Sequence, residues 1–309
     1  MKIFNSIADF TPKRQTVVTI GTFDGVHIGH RKIVERLIQS AQSENCDSLL
    51  LTFSIHPRMV LESAAAVSLL TTTDEKEELL SHTFLDFLVV HPFDEKFSDL
   101  SPRDFVKKIL VDSFNVRKII IGHDHRFGKN RMAGYADLVD YGEEFGFSVE
   151  QIPAQEVADV SVSSTRIRKA ISEGRIELAN SYLGYNYLLS GIVVEGQRLG
   201  RTIGFPTANI AVTDPSKLIP ANGVYVVEWR YGNQVVNGML NIGFRPTVGG
   251  KTLSVEVHFF NLDKDLYGQN ITLGIIARLR DERRFDGIDS LKLQLEADRN
   301  TALTLLNDC

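Results

Sequence analysis

In the first half of the chain, short apolar runs alternate with stretches whose apolar residues fall at helical spacing. The runs cover residues 16–21, 48–53, 87–90, 116–122 and 148–152. Helical patterns begin near Gly29, near Pro102 and near Tyr135. Pro102 suits the first position of a helix, where a missing N–H costs nothing. Strands alternating with helices in this way predict βαβ units and a parallel, doubly wound sheet. Residues 163–174 then read as a further helix that starts at a serine pair and stops at a glycine.

After Gly184 the pattern changes to β-rich runs at residues 191–194, 224–229, 235–240, 253–259 and 271–279, separated by Gly, Asn and Pro. An antiparallel sandwich or barrel is expected. A final amphipathic helix over about 290–306 places Leu291, Leu295, Leu303 and Leu306 at helical spacing. No repeat, low-complexity tract or long linker intervenes, so two domains are expected to abut, 1–184 and 185–309. The length of 309 residues suits two domains of ordinary size.

Composition narrows the function classes. The net charge is −5, with 21 basic against 26 acidic residues up to Gly184 and 13 against 13 after it. Neither half concentrates the Lys and Arg that general nucleic-acid binding needs. No run approaches 18 apolar residues, and the first residues lack the apolar core of a signal peptide. A cytoplasmic protein without membrane or nucleic-acid partners is expected, and a homo-oligomer is left open. Cys46 and Cys309 form neither a disulfide framework nor a CxxC pair.

The strongest chemical signal is the segment Gly21-Thr22-Phe23-Asp24-Gly25-Val26-His27-Ile28-Gly29-His30, where a strand feeds a glycine-bearing turn that opens a helix. Helix N-termini favour phosphate through unpaired N–H groups and the macrodipole. His27 and His30, three apart, can present imidazoles to one side and donate to phosphate oxygens whose charge grows in a transition state. A tight turn with surface histidines is the plainer alternative. The segment resembles the His-x-Gly-His signature of nucleotidylyltransferases, which fixes a reaction type and leaves the acceptor open, since class I aminoacyl-tRNA synthetases share it.

Other segments carry weaker signals. Ser163, Ser164, Thr165, Arg166 and Arg168 join hydroxyls at a helix start to two guanidiniums, which suits an anion. His123 and Asp124 lack a third ligand at metal spacing, so a metal site is not expected there. In the second half Gly196, Gly200 and Gly204 recur every four residues and could be turn chemistry alone. Thr207 and Asn209, two apart, face one side of an extended segment and could offer neutral oxygens to Mg²⁺ beside a nucleotide. Ser254, Glu256 and His258 share a strand face opposite Val255, Val257 and Phe259. Glu256 could accept a hydroxyl proton or be a solvated glutamate.

Taken together and in order, these motifs resemble the bacterial bifunctional riboflavin kinase/FMN adenylyltransferase family, also called FAD synthetase, over nearly the whole chain. The Gly-x-Asp-x-x-Phe-Gly segment at 122–128, the Gly-Phe-Pro-Thr-Ala-Asn run at 204–209 and the turn Asp265-Leu266-Tyr267-Gly268 add to the match. The resemblance implies an α/β Rossmann-like nucleotidylyltransferase domain followed by a mostly β, six-stranded riboflavin kinase barrel with a C-terminal helix. It implies ATP, riboflavin and FMN as substrates and Mg²⁺ as cofactor.

Residue by residue, the resemblance makes His27 and His30 the catalytic phosphate contacts of adenylyl transfer. Gly21, Thr22, Phe23, Asp24, Ser163, Ser164, Thr165, Arg166 and Arg168 complete the ATP site. Phe53, His56, Pro57, Asp124 and Phe127 are the implied flavin contacts of that half. In the kinase half it implies Gly196, Gly200, Gly204, Pro206, Thr207 and Asn209 for ATP, Thr207 and Asn209 for Mg²⁺, Glu256 as base, and Arg283 and Phe285 for flavin. Ile55, His125 and Asn261 depart from residues common in the family at positions near the implied flavin sites. The competing readings are a His-x-Gly-His adenylyltransferase for a different acceptor, such as phosphopantetheine or a nicotinamide nucleotide, and a noncatalytic flavin sensor. Intact candidate residues in both halves oppose them.

Overall fold

The computed structural model describes residues 1–61, 67–123, 125–153, 162–196, 200, 203–247 and 250–307. These form two compact units, Met1–Ser164 and Thr165–Cys309.

The first unit is built on strands β1 (Lys2–Phe4), β2 (Thr16–Ile20), β3 (Asp47–Phe53), β4 (Phe87–His91), β5 (Val116–Gly122) and β6 (Ser148–Ile152). Its helices are α1 (Ile28–Ser43), α2 (Pro57–Leu61), α3 (Thr73–Ser81), α4 (Glu95–Ser98), α5 (Pro102–Phe105, continued by a wider π-type turn to Ser113) and α6 (Tyr135–Phe145). The strands pair in parallel in the order β1-β4-β3-β2-β5-β6, so the expected doubly wound sheet is present. Side chains alternate between two cores. Val17, Leu50, Leu88 and Ile120 pack with Val34 and Leu37 of α1 on one face. Val18, Leu49, Leu51, Val89, Ile119 and Ile121 pack with Phe105, Leu110 and Leu138 on the other. Chain order reverses around β2, and the carboxyl ends of strands at such a reversal open a crevice. The turn after β2 lies there.

The sequence pattern missed β1 and the helices α2, α3 and α4 of this unit. β1 is only three residues long, and α3 is signalled by capping chemistry and not by periodicity. Thr72 Oγ1 accepts from Glu75 N–H while the Glu75 carboxylate accepts from Thr72 N–H, a reciprocal capping box.

The second unit opens with α7 (Ser164–Ser172, its first residue counted with the first unit) and α8 (Ile176–Leu183). It continues with β7 (Tyr187–Val194), β8 (Ala208–Ala211), β9 (Gly223–Tyr231), β10 (Gln234–Thr247), β11 (Gly250–Phe259), β12 (Asn270–Arg280) and α9 (Ile288–Asn307). Six antiparallel strands close into a barrel, β10-β11-β8-β7-β12-β9, which removes the free edges of a sheet. Of the sandwich and the barrel that the sequence allowed, the barrel is found.

The docking of α9 corrects one expectation. Leu295 and Leu306 pack with Phe205, Val226, Met239, Phe260 and Ala302, but Leu303 lies exposed, and Ala302 takes the buried position. The helix also buries Asp298, which is bonded by the Arg280 guanidinium of β12 at 2.7–3.0 Å and by Gln294 at 2.6 Å. A charge-assisted forked pair of this kind fixes the helix in rotation, because removing either partner leaves a buried charge unpaired. Among the described residues no helix is long and apolar enough to cross a membrane.

Candidate functional site

In the first unit the turn between β2 and α1 has an unusual backbone. Phe23, Gly25 and Val26 all have positive φ, at 47°, 84° and 33°. Glycine accepts this freely, whereas a β-branched valine there stores strain of about 1–3 kcal/mol. The surroundings hold the turn in place. The buried Asp24 carboxylate accepts from Leu70 N–H at 2.9 Å and Thr71 N–H at 3.1 Å, and Gly25 N–H donates to Thr71 Oγ1 at 3.1 Å. Ser164 donates through its hydroxyl to the Asp24 carbonyl at 3.1 Å, so it lies against the turn.

His27 caps α1 through its ring: Nδ1 accepts from His30 N–H at 3.3 Å. That bond requires Nδ1 to be unprotonated, so the neutral ring carries its proton on Nε2. The His27 and His30 rings stack with centroids 3.6 Å apart, and Phe23 lies against His30 at 5.0 Å. Burial lowers the His27 pKa to about 4 against an opposing pull from Asp24. Burial, then the proximity of His27 and Lys76, pushes His30 well below the usual imidazole range. Both rings are therefore neutral near pH 7, and His30 Nδ1 is buried without a hydrogen-bond partner.

A cleft beside the turn is lined by Thr22, Asp24, Phe53, Ser54, His56, Thr71, Thr73 and Lys76. It joins the turn to the end of β3, so Thr22 and Asp24 share its lining with Phe53 and His56. Pro57 begins α2 and is half-buried, while Ile55 is exposed. Phe127 is buried in the core against Phe105 at 5.7 Å, with His125 stacked over it at 6.2 Å. Asp124 lies outside the described residues. Ser163 is exposed, and on α7 in the second unit Thr165 and Arg166 are exposed and Arg168 is half-buried.

Lys76 was missed by sequence reasoning. Its helix was missed with it, although Thr72 and Glu75 just before it spell a capping box.

In the second unit the candidate residues lie on neighbouring strands. Glu256 of β11 stands opposite Asn209 of β8 and Asn241 of β10 in register. Its carboxylate accepts from Thr207 Oγ1 at 3.3 Å and from Ser254 Oγ at 2.8 Å. The alternation along β11 is as expected: Val255, Val257 and Phe259 are buried, and Ser254, Glu256 and His258 are only partly so. His258 Nδ1 meets the Pro206 carbonyl at 2.8 Å, which makes it the donor and anchors the residue preceding Thr207. Phe205 lies 5.1 Å from the same ring. Burial lowers the His258 pKa, so the ring is neutral there. Sequence reasoning placed His258 on the right face without seeing this anchor, which depends on where β8 pairs.

A side chain at Gly196 would collide with the Asn209 amide, so the glycine leaves room for that amide. Phe205 N–H donates to the Gly200 carbonyl at 2.9 Å, and Gly204 has a positive φ of 85°. Phe285 is half-buried, with the guanidiniums of Arg280 and Arg283 at 5.8 and 5.1 Å from its ring centroid. Asn261 sits at φ 56°, a conformation asparagine tolerates better than most residues.

Comparison with known proteins follows this division. The FAD synthetase family model matches residues 9–166, and the riboflavin kinase family model matches residues 183–306. The bifunctional riboflavin kinase/FMN adenylyltransferase of Escherichia coli K12 is 35% identical over 305 residues, covering 98% of this chain and 97% of that protein. The protein of the same name from Listeria monocytogenes is 37% identical over 284 residues, covering 91% and 90%. That from Bacillus subtilis is 36% identical over 296 residues, covering 94% and 92%. A crystal structure from Streptococcus pneumoniae, described as a macrolide-efflux protein, superposes with a TM-score of 0.87 at 30% identity, covering 97% of this chain and 98% of that one. With a parallel-sheet unit carrying the histidine turn ahead of a barrel carrying Thr207, Asn209 and Glu256, the chain belongs to the bifunctional riboflavin kinase/FMN adenylyltransferase family.

Proposed function

We propose that this chain makes FAD in two steps, phosphorylating riboflavin in the barrel and adenylylating FMN at the histidine turn. The observation that carries this reading is that one chain, matched by both family models, holds a stacked pair of histidines at a helix start on the parallel-sheet unit and Glu256 hydrogen-bonded by Thr207 on the barrel. In the kinase step Glu256 accepts the proton of the riboflavin 5′-hydroxyl as its oxygen bonds to the γ-phosphorus. The bond from that phosphorus to the β-phosphate oxygen breaks, and ADP leaves. Thr207 and the Asn209 side-chain carbonyl are hard oxygen donors beside a carboxylate, a set that fits Mg²⁺, which retains waters and substrate phosphates in its shell. When bound, the ion would neutralise phosphate charge. Arg283 and Phe285 are assigned to the flavin.

In the second step a phosphate oxygen of FMN bonds to the α-phosphorus of ATP, and the bond to pyrophosphate breaks. No protein nucleophile is needed; positioning and charge stabilisation suffice. His27 and His30 are assigned as neutral donors to those phosphates. For His27 the donor is Nε2–H, since Nδ1 is occupied by the helix cap. Gly21, Thr22, Phe23, Asp24, Ser163, Ser164, Thr165, Arg166 and Arg168 are assigned to ATP, and Phe53, His56, Pro57, Asp124 and Phe127 to the flavin. The two reactions are assigned to residues 185–309 and 1–184, in an enzyme of the ATP-rich cytoplasm.

Incubation with riboflavin and Mg-ATP, followed by chromatographic separation of the flavins over time, tests the reading. FMN should appear first and FAD later. No flavin product would point to another acceptor, and bound but unchanged riboflavin to a sensor.

A further inference from the structure

Lys76 enters the first unit's cleft from α3, the helix fixed by the Thr72–Glu75 capping box. It is 7% exposed. Its ammonium donates to Thr52 Oγ1 at 3.2 Å and to the Phe53 carbonyl at 3.3 Å, both at the end of β3. An ammonium has three N–H donors, and these two acceptors account for two. Two neutral oxygens repay poorly the removal of a full charge from water, and an apolar residue would fill the same space without that cost. The Asp24 carboxylate lends a favourable field from the turn, but its Oδ1 is already engaged by Leu70 and Thr71. The buried charge thus has one donor to spare and lines the cleft between Thr22 and Asp24 on one side and Phe53, Ser54 and His56 on the other.

We propose that Lys76 is a further substrate-contacting residue of this site, its spare N–H receiving an anionic phosphoryl oxygen where the acceptor phosphate meets the α-phosphate of ATP. This rests on the adenylyl-transfer reading above. Two phosphates approaching for reaction repel each other, and a fixed cation between them lowers that repulsion most where charge is densest, in the transition state. Lys76 gives up no proton. The new bond joins the FMN phosphate oxygen to the α-phosphorus, the broken bond releases pyrophosphate, and the ammonium stays charged.

The geometry has a titration consequence. Burial lowers Lys76 to about pH 8, opposed by Asp24 from the turn and Glu77 from its own helix. His27 and His30 from α1 are neutral there. As pH rises through about 8 the free enzyme loses the cation, so kcat/KM for FMN should fall on that side.

The full chain is assayed for FAD formation from supplied FMN with Mg-ATP well below its KM, so that the pH profile reports the free enzyme. Lys76→Met should lower kcat/KM for FMN by roughly 10²–10³, the scale for one preorganised donor to developing charge. Riboflavin phosphorylation should be unchanged. Methylammonium or ethylammonium should restore part of the activity of Lys76→Ala, which a purely structural role would not allow. In Lys76→Arg, whose charge persists to high pH, the alkaline fall should move up or vanish. FAD formation by Lys76→Met within about threefold of the parent overturns the proposal, as does an alkaline fall that Lys76→Arg leaves in place. Should Lys76→Met fail to fold, the Lys76→Arg profile decides alone. A parent chain that makes no FAD would instead overturn the adenylyl-transfer reading.

Discussion

Lowering the pH from 7 to 5 should destabilise the first unit through His27, by an amount that follows from its surroundings. Burial takes its pKa from 6.5 to about 4 in the folded chain. In the unfolded chain the ring protonates near its ordinary value, so below pH 6.5 the unfolded state binds more protons. The stability tied to a neutral His27 is therefore complete above pH 6.5 and is lost as pH falls towards 4. Between pH 7 and 5 the loss is about 2 kcal/mol, out of a ceiling of ~3.4 kcal/mol reached below both values. Protonation also endangers the helix cap, since Nδ1 can no longer accept from His30 N–H. Urea unfolding followed by circular dichroism at the two pH values measures the loss, and the fluorescence of Trp229, the single tryptophan, follows the barrel separately. His30 and the half-buried His91, whose pKa values are also lowered by burial, tilt the pH dependence the same way, so the parent must be compared with His27→Asn. Asparagine keeps a capping oxygen and does not titrate. The variant should lose about 2 kcal/mol less than the parent over the same interval. Parallel losses in the two proteins would refute the linkage.

Replacing His27 by alanine should slow FMN adenylylation by roughly 10²–10³ while riboflavin still becomes FMN, read by flavin chromatography. Glu256→Gln keeps size and removes basicity, so FMN formation should fall by about 10²–10⁴ with riboflavin binding little changed. FAD formation from supplied FMN should survive; unchanged riboflavin phosphorylation would defeat the base assignment, whereas equal loss of both reactions would point to misfolding. Gly196→Ala should displace the Asn209 amide, raising KM for Mg-ATP in riboflavin phosphorylation with little change in melting temperature. A chain of residues 185–309 should be less stable than one of residues 165–309. The shorter chain lacks the buried Ile176, Ala179 and Leu183 of α8 and the Asn180 amide bonds to the Ile275 and Ile276 carbonyls, at 2.9 and 3.1 Å. Equal thermal unfolding midpoints would show that α8 contributes nothing to the barrel.

Local periodicity made part of this protein legible before any fold was known. A repeat of two set the facing of Ser254, Glu256 and His258 and of Thr207 and Asn209. The strand, turn and helix around His27 and His30 were legible because glycines, a helix start and two imidazoles occupy ten consecutive residues. Periodicity says which side of an element a residue occupies but not what lies across from it. The Ser164 bond to the turn spans 140 residues, and Thr207 meets Glu256 across 49. Those encounters depend on strand order and barrel closure, which are settled by the summed burial of many residues. Lys76 and Asp298 show the limit most clearly. Each is a charged residue that sequence rules assign to solvent, and each is buried because a partner from a distant strand, Thr52 and Phe53 in one case and Arg280 in the other, reaches it only in the folded chain. Desolvating a charge is unfavourable unless such partners are in place, so only the tertiary structure could decide it.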